Sequence, residues 1–206
     1  MSTVQALVAF VAAATVMTIT PGVDTAMVLR SASIGSRPAA FAAIGICLGC
    51  LVWGALVSVG LGALLAASPT VFTALKWAGA AYLLWLGVKL IRSPRQSFET
   101  DGGNAPRTSA RSALRRGFLT NLLNPKVGVF YVTFLPQFVP AGADVATFSF
   151  VLAAIHVLLS LVWFAALIAA TVPLGRALRR PAVIKWLDRI TGGVFVAFAA
   201  RLALAK

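Results

Sequence analysis

Six long apolar runs, each broken by few polar residues, set the pattern of this chain. They lie at roughly 4–29, 39–67, 70–91, 117–139, 147–174 and 186–205, each long enough to cross about 30 Å of hydrocarbon as a helix. The second is the cleanest, with no charge from Ala39 to Ala67. The sixth is the least sharply marked, with Asp188 and Arg189 at its start and Arg201 near its end. The pattern predicts an all-α, polytopic membrane fold of six transmembrane helices. Between the third and fourth runs, Ser93 to Arg111 contains Gly102, Gly103 and several Ser, Thr and Pro, the composition of a flexible loop. The chain thus reads as one transmembrane domain, 1–206, made of a first repeat at 1–91, a linker at 92–116 and a second repeat at 117–206.

Two runs carry a helix-restart signal next to a lone charge. The first is Thr20-Pro21-Gly22-Val23-Asp24 and the second is Asn124-Pro125-Lys126. Thr or Asn followed by Pro reads as an N-cap and a first helical position. In a bilayer such a break is tolerated where the freed backbone groups meet protein or a polar cavity. Breaks at corresponding places in two halves point to a transporter's binding site. Thr20 lies ten residues before Arg30 and Asn124 eight after Arg116, or about 15 Å and about 12 Å from those charges along a helix. The breaks therefore fall at similar depth. The N-termini of half-helices carry partial positive charge and unpaired N–H groups, which suits a carboxylate. Gly22 would allow close approach of backbone or ligand.

Internal similarity points the same way. Thr18 to Pro21 resembles Thr133 to Pro136 at an offset of 115, Leu51-Val52-Trp53 recurs as Leu161-Val162-Trp163 at 110, and Gly87 to Leu90 resembles Ala199 to Leu202 at 112. With three spans per half, the two copies would have opposite orientations, an inverted repeat. The site is then expected between the first and fourth spans.

Asp24 reads as the only acidic residue well inside a span, and Lys126 as the only lysine deep in one. A buried carboxylate needs a partner or a proton. In one reading Asp24 attracts a substrate ammonium or carries a coupling proton while Lys126 holds a carboxylate. In the other the two form a structural ion pair joining two helices. His156, near the middle of the fifth span, reads either as a proton relay or as a buried histidine bonded across helices. Cys47 and Cys50, at i and i+3 on the second span, form a C-x-x-C. They could serve a thiol-disulfide or electron relay, but Gly45 and Gly49 alongside favour a small-residue packing face. Trp77 and Trp186 read as interfacial anchors, while Trp53 and Trp163 fall near the midplane.

Composition narrows the choice. Of the 206 residues, 60% are apolar and 11% charged, with a mean hydropathy of +0.92; an ordinary soluble domain is far more polar. The net charge of +13 could suggest nucleic acid, but the basic loops lack stacking aromatics. Instead the charge alternates. Arg30 and Arg37 lie in the first loop, Lys89, Arg92, Arg95, Arg107, Arg111, Arg115 and Arg116 around the third, and Arg176, Arg179, Arg180, Lys185 and Arg189 in the fifth. These are fourteen of the eighteen basic residues; the second loop contributes only Lys76 and the fourth none. By the positive-inside rule the three basic loops are cytoplasmic and both termini lie outside. A cleaved signal peptide is not expected, because the start lacks a basic region before its apolar stretch. No Ser-His-Asp or metal-ligand constellation suggests an enzyme, a cofactor or a bound metal. The scarcity of His, Cys and carboxylate groups argues against a heavy-metal exporter. A homodimer is compatible with six short spans, which enclose a pathway poorly alone.

The chain resembles the lysine-exporter superfamily, and more closely its homoserine/threonine-exporter-type branch. The resemblance rests on Thr20 to Asp24, on Leu75-Lys76-Trp77-Ala78-Gly79-Ala80-Ala81-Tyr82-Leu83, on Gly117-Phe118-Leu119-Thr120-Asn121-Leu122-Leu123-Asn124-Pro125-Lys126 and on Phe134 to Val139. It covers nearly the whole chain. It implies a secondary active transporter in the inner membrane that exports amino acids or related small zwitterions, driven by protons. On matching positions it implies Pro21, Gly22 and Asp24, with Asn124, Pro125 and Lys126, as the central polar motifs. The family pattern often has a second proline where this chain has Val23, so a less sharply bent first break is expected.

Overall fold

The computed structural model describes residues 2–32, 34–67, 69–94, 109–170 and 180–204. Among these residues there is no strand. The helices are α1 (Thr3–Ile19), α2 (Val23–Ala32), α3 (Ser36–Ala67), α4 (Pro69–Arg92), α5 (Ala110–Leu122), α6 (Pro125–Phe134), α7 (Val145–Ala169) and α8 (Pro181–Leu204), with a 3-10 turn at Leu135–Phe138. Most of the expected linker, 95–108 with Arg95 and Arg107, lies outside the described residues. So do 171–174 at the end of the fifth run, together with Arg176 and Arg179. Among the described residues, α7 and the Ser36–Gly60 part of α3 are long and apolar enough to cross a bilayer. The pair α1 and α2, bent by 55°, passes the same test as one broken span.

Local chemistry sets the helix ends. Ser2 and Gln5 form a reciprocal capping box at the start of α1. Asp144 caps α7 by accepting from the Thr147 N–H at 2.8 Å, and this hydrogen bonding holds its carboxyl below the usual carboxylate range. Asn124 caps α6 as expected: its side chain accepts from the Lys126 N–H at 3.1 Å, with Pro125 in the first turn.

The first break differs from the expectation. Thr20 is not the N-cap of α2 but the C-cap of α1; its N–H and its hydroxyl both donate to the Val16 carbonyl, at 3.1 and 2.6 Å. The Ala26 N–H bonds instead to the Gly22 carbonyl, which puts Gly22 at the entry to α2. Pro21 has no N–H to continue the ladder, so the helix stops there and the Thr20 hydroxyl folds back one turn. The bend reaches 55° with that single proline.

The sixth run also needs correction. Helix α8 starts at Pro181, five residues before the expected position, because proline sits comfortably in a first helical turn. Asp188 is then two turns inside the helix and fully buried. Asp24 is therefore not the sole carboxylate within the bundle.

Glycines decide how closely the helices cross. A Cβ on Gly45 of α3 would overlap the Leu114 carbonyl of α5, and one on Gly117 of α5 would overlap the Ala42 carbonyl of α3. These two helices touch backbone to backbone. Helices α4 and α8 repeat the device: a Cβ on Gly87 would come 2.7 Å from the Gly192 oxygen, and one on Gly192 would come 2.6 Å from the Gly87 oxygen. Helix α3 also packs along α7. Phe10, Phe130, Phe134 and Phe138 form a fully buried aromatic cluster where α1, α6 and the 3-10 turn meet. Trp77 and Trp186 lie exposed on the surface, whereas Trp53 and Trp163 are half-buried.

Candidate functional site

The second break completes the first. Pro21 cannot donate to the Met17 carbonyl, and the turn leaves the Thr20 carbonyl outside α2. The Lys126 ammonium, from the first turn of α6, donates to both at 3.4 Å. In return, Asn124 uses its side-chain oxygen to cap α6 and its amide to donate to Asp24 Oδ1 at 3.3 Å. Asp24 Oδ2 accepts from Asn121 Nδ2 at 2.8 Å. Side chains of the second break thus satisfy carbonyls released by the first, and Asp24 accepts from the amides beside the second.

Thr20, Gly22, Asp24, Asn124, Lys126 and His156 all line one cavity of about 40 Å³. Met17, Ile46, Val127 and Phe164 supply its apolar wall. At about 10–15 Å³ per water it has room for about three waters. A Cβ on Gly22 would come 3.7 Å from the Lys126 ammonium, an ordinary contact, so Gly22 borders the lysine directly. The Thr20 hydroxyl also bonds to the Thr191 hydroxyl of α8, tying the first break to the last helix. His156 is buried, with its Nδ1 2.9 Å from the Tyr131 hydroxyl, so the cross-helix hydrogen bond and a place on the cavity wall hold together. Pro21 shapes the first break, and Pro125 opens α6.

Three wider spaces reach this centre at Asn124, and two of them carry charged residues on their walls. One, of about 480 Å³ between α2 and α5, has Arg30 and Arg116 on its walls. The other, of about 330 Å³, runs from the first break to α4, past Lys126, Tyr82 and Lys89.

Sequence reasoning missed two members of the site. Asn121, fully buried, is the stronger of Asp24's two hydrogen-bond partners by distance; its signal was an amide one turn before Asn124 in an apolar run. Thr191 gave no local signal. Cys47 and Cys50 are both free and buried, and Cys50 Sγ accepts from Asn121 Nδ2 at 3.3 Å. Among the described residues no group of three or more His, Cys, Asp or Glu is placed to hold a metal ion.

Comparison with known proteins gives a consistent answer. The family described as LysE type translocator matches residues 15–206. A leucine efflux protein of Enterobacter sp. (strain 638) is 33% identical over 94% of this chain and 93% of its own length. A homoserine/homoserine lactone efflux protein of Salmonella typhi is 30% identical over 96% of each chain. An uncharacterized membrane protein of Bacillus subtilis (strain 168), YrhP, is 29% identical over 98% of this chain and all of its own. No solved structure matches the chain.

Proposed function

The chain belongs to the LysE type translocator family, and from that premise we propose that it exports amino acids or closely related zwitterions across the cytoplasmic membrane, coupled to protons. It is a membrane transporter and not an enzyme. The observation that carries the reading is the cavity on which Asp24 and Lys126 meet beside the start of α6. An α-amino acid presents an ammonium and a carboxylate on one carbon. Asp24 takes the ammonium; Lys126 and the α6 N-terminus take the carboxylate.

The amides of Asn121 and Asn124 hold the Asp24 carboxylate without neutralising it. An entering ammonium adds the charge complement that they lack. Protonation of Asp24 from the outer side removes that attraction and releases the cargo, and His156 is a further titratable group on the wall. The small cavity must widen to admit a zwitterion; the space between α2 and α5, flanked by Arg30 and Arg116, is the approach from the cytoplasm. In this reading the chain forms six spans, with α1–α2 and α5–α6 as the broken first helices of two inverted repeats and both termini outside. The contacts of α3 with α7 and of α4 with α8, second with second and third with third, support that pairing.

Efflux from proteoliposomes across a panel of amino acids tests the proposal. Uphill efflux of at least one neutral amino acid is expected under an imposed pH gradient, collapsing on addition of a protonophore. Efflux indifferent to the gradient for every panel member overturns proton coupling, and no efflux of any member overturns the export reading. Cys47→Ser is expected to keep most of the wild-type rate, whereas a dithiol relay, which needs both thiols, would lose all activity.

A further inference from the structure

Helix α6 stands between two spaces. Lys126 and Val127, in its first turn, line the site cavity. Gly128, Val129 and Val132 line a space of about 390 Å³ between α6, α3 and α4. Asn124, the N-cap of the helix, borders both. Tyr82 of α4 borders this space and also the one that runs to Lys126 and the first break. A cargo carboxylate held at the start of α6 leaves its α-carbon just beyond the helix end. The side chain then needs a flank with room. On one flank Phe130, Tyr131 and Phe134 are fully buried in the core; the flank of Gly128 and Val132 opens on the 390 Å³ space.

The chemistry of that space is apolar. Trp53 of α3 forms one wall, pressed against α6 where a Cβ on Gly128 would come 2.8 Å from two of its ring carbons. The Trp53 N–H is buried, so the indole offers ring carbon. The Thr133 hydroxyl donates to the Val129 carbonyl at 2.7 Å. The Asn124 side chain is spent on Asp24 and on capping α6. The Tyr82 hydroxyl is the remaining side-chain polar group on the wall, and no charged residue borders the space. The two other spaces at Asn124 differ: one carries Arg30 and Arg116, the other Lys89 and Lys126. A charged or strongly hydrated side chain would lose its water among these apolar walls with little in return, whereas a hydrocarbon one gains by leaving water.

We propose that the space between α3, α4 and α6 is the side-chain pocket of the transporter, in which Trp53, Ala78, Val129 and Val132 select cargo with a branched aliphatic or aromatic side chain. The inference deepens the export reading and rests on it for the placing of the two charged ends. A lipid acyl chain is the competing occupant. The cargo is favoured because the space ends at Asn124, the residue that holds both Asp24 and the start of α6.

Efflux from proteoliposomes loaded with alanine, leucine, phenylalanine, lysine or glutamate tests the pocket through the ratio of kcat/KM between substrates, in which general damage to the protein cancels. Methylenes in an apolar pocket are worth about 10–200-fold. The wild type is expected to prefer leucine and phenylalanine to alanine by at least about tenfold, and to lysine and glutamate by more. Ala78 lies on an exposed face of α4, so Ala78→Phe can fill the space from that side; it should lower the leucine-to-alanine ratio about tenfold. If Ala78→Phe does not insert, Val132→Ala enlarges the space from α6 and should raise the phenylalanine-to-leucine ratio several-fold. A wild type that prefers lysine, glutamate or alanine overturns the proposal. So do unchanged ratios in the variant that inserts, the result expected of a lipid-filled groove. Competition for labelled leucine bound to the protein in lipid reads the same preference without transport. Leucine bound with that preference but never moved upholds the pocket and overturns export; leucine moved no better than alanine does the reverse.

Discussion

Asp24→Asn should reduce uphill efflux about 100-fold while leaving the protein inserted and folded. Asparagine keeps the shape and can still bond to the amides of Asn121 and Asn124, which contact Asp24 at 2.8 and 3.3 Å. What it loses is the charge that meets the substrate ammonium. Removing one partner of a buried charge pair costs about 2–5 kcal/mol, and about 2.8 kcal/mol corresponds to 100-fold. Efflux from proteoliposomes, normalised to inserted protein, is the measurement. Unimpaired uphill transport by this variant would remove Asp24 from the site.

The second large effect is on the fold. Gly117→Leu should deprive the protein of its native bundle, because Gly117 faces the Ala42 carbonyl with no space for even a Cβ. The obstacle is backbone, which cannot swing aside as a flexible side chain can. Helices α3 and α5 would have to separate, and Asn121, one turn further along α5, would be drawn away from both Asp24 and Cys50. Overpacking by several atoms costs at least about 1–3 kcal/mol, and each kcal/mol lowers the midpoint of a chain of this size by about 2–4 °C. A fall on the order of 10 °C in thermal unfolding in detergent, or loss of the monodisperse species, is expected. Gly193→Ala is the control: nothing lies within 4 Å of its added Cβ, and alanine favours the helix. Equal melting of Gly117→Leu and wild type would show that the α3–α5 crossing is looser than described.

The parts of this protein that the sequence made legible share one property: their causes are local. Apolar runs marked the helices because a bilayer core admits little else. Yet α5 begins at Ala110, inside the expected linker, and α8 at Pro181, because polar and basic residues extend a helix beyond its apolar stretch. Asn124 and Pro125 announced the second break because capping chemistry acts within one turn. The first break was visible as a break, but its internal assignment was not. Thr-Pro fits an N-cap as well as a C-cap, and only the acceptor one turn back, Val16, decided between them. The α8 start was obscured by charges that read as a boundary until Pro181 placed it.

What joins residues far apart in the chain belonged to the tertiary structure. Asp24 and Lys126 could be matched for depth by counting residues, yet counting cannot tell that the lysine caps α1 carbonyls or that Asn124 reaches across to Asp24. Asn121 was an unremarked amide until α3 and α5 met on glycine and brought Gly49, Cys50 and Asp24 around it. Sequence by itself determined that this is a helical membrane protein with two interrupted segments bearing opposite charges, because hydropathy and backbone hydrogen bonding are properties of consecutive residues. Only the packed bundle decided which orphaned carbonyl and which carboxylate each polar side chain would satisfy, because that depends on which helices approach closely enough to share them.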